Sequence, residues 1–370
     1  MAESRAVFID HPVFAAPAWG DLHPLAIARQ VNVKALCETM GWLGDGRVVR
    51  GSLATFESLV RFHDPSYVTA FMRASAEGKV RAEDRSAFGF GTMENPIFPG
   101  IYERAAASIG CAVDAAHAAL AGAIAFHPAG GTHHGRPGRA SGFCYFNDPV
   151  FAIRALLDVG AGPVLYLDID AHHGDGVQDA FAGHRDVMTV SIHEQGRWPY
   201  SGGAGDRGGG NARNMPVPSG LNDSEMDWLL AGPVADIAAR FRPESVVIVA
   251  GADCLAGDPL SKMGLSNLAF WRAVESGCGF AGVRVVLGGG GYNPWTVTRG
   301  WSGLWARLAG LPIPDRLPAA ACALLKTLSS DLIDDDEIDP LWTQSIADIP
   351  NEGMIRDSIK VLGHAITQSA

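Results

Sequence analysis

This sequence lacks a membrane segment, a disulfide framework and a nucleic-acid-binding surface. No apolar run approaches the ~20 residues that span a bilayer. Met1 to Asp10 carries acidic residues early and lacks the basic start, apolar core and small-residue cleavage site of a secretory leader. The 6 cysteines (Cys37, Cys111, Cys144, Cys254, Cys278 and Cys322) are scattered without a C-x-x-C pair. Such spacing excludes a disulfide-stapled scaffold and fits free thiols in a reducing compartment, mostly as packing residues. Basic residues are scarce too: 29 Lys and Arg against 40 Asp and Glu give a formal net charge of -11. That excludes nucleic-acid binding through a general basic surface, which needs cations to displace phosphate counterions, and suits a cationic substrate. A cytoplasmic chain with no membrane or nucleic-acid partner is expected.

What is present is an alternating α/β rhythm. Apolar strand-like runs recur at Val7–Ile9, Ala123–Phe126, Val164–Leu167, Val187–Ile192, Val246–Ala250 and Val283–Leu287, most of them ending in Gly, His or Asp. Between them Gly100 to Leu120, Pro149 to Leu157 and Ser224 to Phe241 have helical spacing. The pattern predicts a parallel sheet with helical crossovers. No Ser/Gly/Pro linker splits the chain, so residues 1–370 are expected to form one domain. Gly202 to Gly210 reads as a mobile loop, and the acidic run within 331–339 as a solvated loop or helix end.

The chemistry gathers where apolar runs end. Leu167 to Asp175 (LDIDAHHGD) places three carboxylates and two imidazoles in nine residues after a buried strand. Uncompensated burial of such charges is costly, so the cluster points to a metal. Alternate residues of an extended chain share a face, which puts Asp168, Asp170 and His172 on one side if the extension persists. The run Val246–Ala250 leads to Asp253. With Asp170 and His172 it would complete three mixed oxygen and nitrogen ligands and leave a fourth position open, as catalytic zinc requires. After Ala123–Phe126 comes Gly130-Gly131-Thr132-His133-His134-Gly135. Its adjacent histidines are open to three readings: a base with an electrostatic partner, metal ligands, or loop surface. After Val283–Leu287 come four glycines and Tyr292. No Gly-Lys-Ser/Thr or G-x-G-x-x-G spacing supports a phosphate loop. Tyr292 either packs on a tight turn or donates to a developing oxyanion.

Taken in chain order, these four segments resemble the histone deacetylase superfamily, in its bacterial deacetylase-like, acetoin-utilisation and acetylpolyamine amidohydrolase group. The resemblance runs from about His63 to Arg299 and includes Arg139 to Asp148 (RASGFCYFND), Gly174 to Phe181 (GDGVQDAF) and Val187 to His193 (VMTVSIH). It implies an arginase–deacetylase fold with about eight strands and one catalytic zinc on Asp170, His172 and Asp253. Asp168 would orient His133 and Asp175 would orient His134. By the same likeness His134 shuttles the proton, His133 is its electrostatic partner and Tyr292 steadies the oxyanion.

The resemblance further implies a narrow tunnel for an acylated amine. Gly142 and Phe143 match one wall, Trp198 or Tyr200 the other, and Leu260 a position low in the wall. Glu94 stands where many relatives carry an Asp that grips the substrate backbone. A structural potassium ion is implied at Asp168, Asp170, His172, Ser191 and Ile192, and a second ion, more weakly, near Phe181, His184 and Val187. The expected substrate is an acetylated lysine in a peptide or protein; the alternative is an acetylpolyamine or another small acetylated amine, and homo-oligomerisation is left open. Two further readings compete: an arginase-like hydrolase with two manganese ions, and a non-catalytic acyl-amine binder.

Overall fold

In the computed structural model, which describes residues 6–368 apart from 17, 18, 21, 22 and 45, one sheet of eight parallel strands carries the chain. Residues 1–5 of the leader argument lie outside the described residues. The strands are β1 (Ala6–Asp10), β2 (Val48–Arg50), β3 (Ile124–His127), β4 (Val164–Asp168), β5 (Val187–Glu194), β6 (Ala212–Val217), β7 (Ser245–Val249) and β8 (Val283–Leu287). Their order across the sheet is β2-β1-β3-β8-β7-β4-β5-β6. Parallel pairing requires crossovers, and helices such as Ile101–Leu120, Asp148–Asp158 and Asn267–Cys278 cover both faces.

The period of two along each strand divides the core. Val164 and Tyr166 of β4, Val247 and Val249 of β7, and Val285 and Leu287 of β8 pack with the alanine-rich side of helix Ile101–Leu120. Leu165, Leu167, Val246, Ile248 and Val286 face the other way, against Trp271, Trp301 and Trp305. Near-continuous apolar strands are what burial on both faces demands. Five cysteines are buried and Cys322 is partly so, all of them free thiols.

The structure departs from the sequence pattern in three places. Val48–Arg50 is a short, largely exposed edge strand with little apolar signal. Ala212–Val217, on the opposite edge, contains Arg213, Asn214 and Pro216, and an edge strand tolerates a proline that a central one does not. The helix expected from Ser224 to Phe241 is two helices, Asp223–Leu229 and Ala235–Phe241, joined by a wider π turn at Leu230–Val234. Pro233 lies in that turn, where it cannot donate a backbone bond. In the C-terminal acidic run, Asp335–Glu337 forms one exposed turn closed by a capping box between Asp334 and Glu337.

Two buried histidines make stability depend on pH. Burial holds His63 down at about 4, against the pull of the Arg136 and Pro137 carbonyls on its ring. Burial likewise lowers His127 to about 4. Both are neutral in the fold but take a proton near ~6.5 when unfolded, so between these values the unfolded chain binds more protons. Their contribution is complete above the unfolded pKa and is lost as pH falls through the window. Urea midpoints are expected to drop between about pH 7 and pH 5, and a His63→Asn variant to show a shallower drop; a flat wild-type profile would contradict this.

Candidate active site

The four chemistry-bearing segments leave the carboxyl ends of β3, β8, β7 and β4, which are consecutive neighbours in the sheet. Open α/β sheets place ligands at this edge. Beyond β4 the chain bends, and Asp170 and His172 converge with Asp253 so that one donor atom of each lies within 4.8 Å of the others. His172 Nδ1 is 3.1 Å from Asp170 Oδ1 and 2.9 Å from Asp253 Oδ2. Ligands of a tetrahedral zinc, each ~2.0–2.2 Å from the ion, sit roughly 3.3 Å apart, so the donor set fits. The remaining oxygens are held by backbone: Asp170 Oδ2 accepts from Gly290 N–H at 2.6 Å, and Asp253 Oδ1 from Ala171 N–H at 2.9 Å. A Cβ at position 290 would strike both carboxylates, which explains a glycine at that position.

The electrostatics of this triad call for a cation. Burial, then the charge of Asp170, pushes Asp253 up to about 6. Burial opposes a charged His172, but hydrogen bonds to Asp170 and Asp253 outweigh it and raise the imidazole well above its usual value. Two buried carboxylates thus close on the nearest positive group the chain supplies.

The adjacent histidines occupy opposite electrostatic states. His133 Nδ1 lies 2.8 Å from Asp168 Oδ2, whose other partner is the Tyr166 hydroxyl at 2.6 Å. Burial disfavours the charged ring, but Asp168 and Asp170 overcome it and raise His133 to about 9. His134 Nδ1 lies 2.7 Å from Asp175 Oδ1. Burial and the charge on His133 nevertheless lower it to about 3, leaving an unprotonated base. Asp175 also pairs with Arg136. The loop bearing both histidines is shaped by Asp148, which accepts from the backbone of Gly131 and Thr132, and by Asn147, whose amide donates to the carbonyls of His133 and Gly135.

Tyr292 is buried across the triad, its ring edge-on to His172 with centroids 6.4 Å apart. Burial and the nearby carboxylates push its phenol well above its usual value, so it keeps its proton and can donate it in a hydrogen bond. Two residues without an assigned role in the sequence reading fix its segment. Asp258 accepts from the backbone N–H of Tyr292 at 2.7 Å and of Leu260 at 2.9 Å. Arg29 donates to the carbonyls of Gly289, at 2.8 Å, and Gly291, at 3.3 Å, while lying over Trp301. Asp258 was visible as a carboxylate five residues beyond Asp253. Arg29, from a helix far off in sequence, gives no local signal.

Above the triad a cavity of about 470 Å³ is lined by Glu94, His134, Gly142, Phe143, His172, Trp198, Tyr200, Leu260 and Tyr292, among others. Trp198 meets His134 edge-on at 4.5 Å, whereas Tyr200 is 79% exposed and lies at the lip. Of the two aromatics, Trp198 therefore faces the base. Glu94 Oε1 accepts from Gly142 N–H at 2.8 Å, tying the rim carboxylate to the Phe143 wall. A second cavity of about 70 Å³, lined by Arg29, Arg104 and Thr132 among others, lies on the other side of Phe143, which lines both.

Of the residues implied for the first monovalent ion, strand register sets Asp168 opposite Ser191, whose hydroxyl is 2.8 Å from His193 Nδ1. The second ion site does not fit. Carbonyls of Phe181, His184 and Val187 converge, but on Asn211 Nδ2, at 2.8, 3.3 and 2.9 Å. Gly183 N–H donates to Asn211 Oδ1 and fixes that orientation, so an amide fills the place expected for a cation. His173, without an assigned role in the sequence, bridges Ser201 and Gln178.

The family model described as the histone deacetylase domain matches residues 23–308. The acetoin utilization protein AcuC of Bacillus subtilis (strain 168) is 35% identical over 332 residues, covering 85% of this chain and 84% of the relative. Histone deacetylase 8 of Xenopus tropicalis is 36% identical over 298 residues, 78% of this chain and 80% of the relative. The crystal structure of an HDAC homolog from Aquifex aeolicus superposes with a TM-score of 0.93 at 32% identity, covering 98% of this chain and 100% of that one. An HDAC homolog complexed with SAHA gives a TM-score of 0.92 at the same identity and coverage. Similarity of this extent, on a sheet whose central strand ends carry the clustered acids and imidazoles, shows that the chain belongs to the histone deacetylase family.

Proposed function

We propose that this chain is a zinc-dependent deacetylase that hydrolyses the N-acetyl, or more broadly N-acyl, amide of a lysine side chain or a similar amine and releases acetate. The observation that carries this reading is the triad of Asp170, His172 and Asp253, with the unprotonated His134 and the protonated Tyr292 lining the cavity above it. Zinc held there would acidify a water and polarise the acyl carbonyl. The protein's own groups do the rest. His134 takes the proton of the attacking water at Nε2, since Nδ1 is occupied by Asp175, and returns it to the departing amine. His133, oriented by Asp168, is the electrostatic partner beside the developing oxyanion, and Tyr292 O–H donates to that oxygen. Trp198, Phe143 and Leu260 exclude water from the stem of the amine. We read residues 1–370 as one catalytic unit, with potassium as a structural ion at Asp168, Asp170, His172, Ser191 and Ile192.

A second reading, an acetylpolyamine or other small acetylated amine as substrate, is favoured by Glu94, whose bond to Gly142 N–H leaves it less free to grip a peptide backbone. An arginase-like pair of manganese ions finds less support. Cys254 follows Asp253 and turns its Sγ to the Gly251 carbonyl, and the triad is the single metal-ligand group of this kind among the described residues.

Metal analysis is expected to give about one zinc per chain. Asp253→Asn is expected to lose it, and two manganese per chain would overturn the mononuclear reading. Tyr292→Phe is expected to keep the metal yet lose acetate release by about 10²–10³-fold, the cost of removing one oxyanion donor. Acetate release from acetyl-lysine peptides, acetylpolyamines and small acetylated amines decides among substrates. Release from none of them would sink the hydrolase reading.

A further inference from the structure

We propose that Glu194 is a positioning residue that sets the bore of the tunnel by anchoring two of its walls at once. It is the last residue of β5 and is 5% exposed. One oxygen, Oε2, accepts from Arg197 Nε at 2.7 Å and from Lys262 N–H at 2.8 Å, with the Ser261 hydroxyl at 3.4 Å; Oε1 accepts from Arg197 Nη2 at 3.3 Å. Arg197 immediately precedes Trp198, and Ser261 and Lys262 immediately follow Leu260. The two walls therefore share one buried carboxylate although they belong to segments about sixty residues apart in sequence.

Each wall is also pinned from its other side. The Trp198 segment is tied down beyond by His193 to the Gly202 carbonyl at 3.1 Å and by His173 to the Ser201 hydroxyl at 2.8 Å. The Leu260 segment is tied by Asp258. What none of these bonds specifies is the gap between the two segments. Glu194 alone, among the side chains described, bonds to both. Its backbone N–H donates to the Ala171 carbonyl at 3.0 Å, between Asp170 and His172, so the anchor is referenced to the metal-ligand segment through main chain that a side-chain substitution leaves in place. Loss of the carboxylate strands a charged, half-buried guanidinium and a backbone N–H, and the two walls separate while Asp170, His172, Asp253, His134 and Tyr292 keep their own supports. A slim acyl-amine stem then binds less tightly, but once bound it meets the same reacting groups.

The proposal rests on the deacetylase reading. Glu194→Gln, Glu194→Ala and Arg197→Met are assayed with whichever acetylated substrate of the panel wild type turns over fastest. Glu194→Ala and Arg197→Met are expected to raise KM on the order of tenfold with kcat held within about twofold, and Glu194→Gln, which keeps an acceptor for Lys262, to fall between. Amide exchange at Lys262 is expected to quicken in Glu194→Ala and not in Arg197→Met, a readout that needs no turnover. Unchanged KM in folded variants, with only the thermal midpoint lowered, would mean a structural role and overturn the proposal; so would equal losses in kcat and kcat/KM. If Glu194→Ala does not fold, the other two variants decide by the same criteria. A wild type that releases no acetate removes the deacetylase reading and this one with it, whereas an active wild type with indifferent variants removes this one alone.

Discussion

The desolvation of carboxylates governs this structure. Asp168, Asp170, Asp253 and Asp258 are almost wholly buried, within one small region at the edge of the sheet. Taken from water without partners, such charges cost several kcal/mol each. The chain meets that cost with fixed donors: Tyr166, His133 and His172 from side chains, and the N–H groups of Asp170, Ala171, Gly290, Tyr292 and Leu260 from the backbone. Apart from Tyr166, which lies within β4, these donors belong to loops after different strands, so the loops cannot move independently. The requirement to satisfy the acids is also what makes the loops rigid enough to position them.

Such an arrangement needs a sheet that delivers its strand ends side by side. The order β3-β8-β7-β4 does so with segments that are far apart in the chain. Close approach then depends on the absence of side chains. At Gly251 and Gly290 a Cβ would collide with the acids, and at Gly142 with Trp198 and His134. The abundance of glycine, 45 of 370 residues against an average near 7%, follows in part from packing backbone against functional groups.

Much of this was legible in the sequence, for identifiable reasons. Buried parallel strands are near-continuous apolar runs, so all six of the central and near-central strands could be read. Val48–Arg50 and Ala212–Val217 were not, because edge strands need no apolar face on both sides. The clusters at 130–135, 167–175 and 288–292 stood out because glycines and polar residues followed such runs closely. Supports contributed from elsewhere did not: Arg29 reaches the glycine loop across about 260 residues of sequence, and nothing in its neighbours marks it. Between Trp198 and Tyr200 the sequence left a choice that only the backbone resolves. Tyr200 adopts a positive φ of 62° that turns it outward to the lip, while Trp198 lies against His134.

Asn211 carries a different kind of consequence. An ion recruited from solution stabilises a fold only to the degree that its concentration exceeds its dissociation constant. An amide tethered to the chain is present whenever the chain is, at an effective concentration no salt change alters. By closing the carbonyls of Phe181, His184 and Val187 with its own side chain, the protein removes the composition of its surroundings as a variable in the shape of that turn. The turn lies between the helix that begins at Asp175 and the strand that ends at Glu194, so the foundation beneath both is internal to the polypeptide.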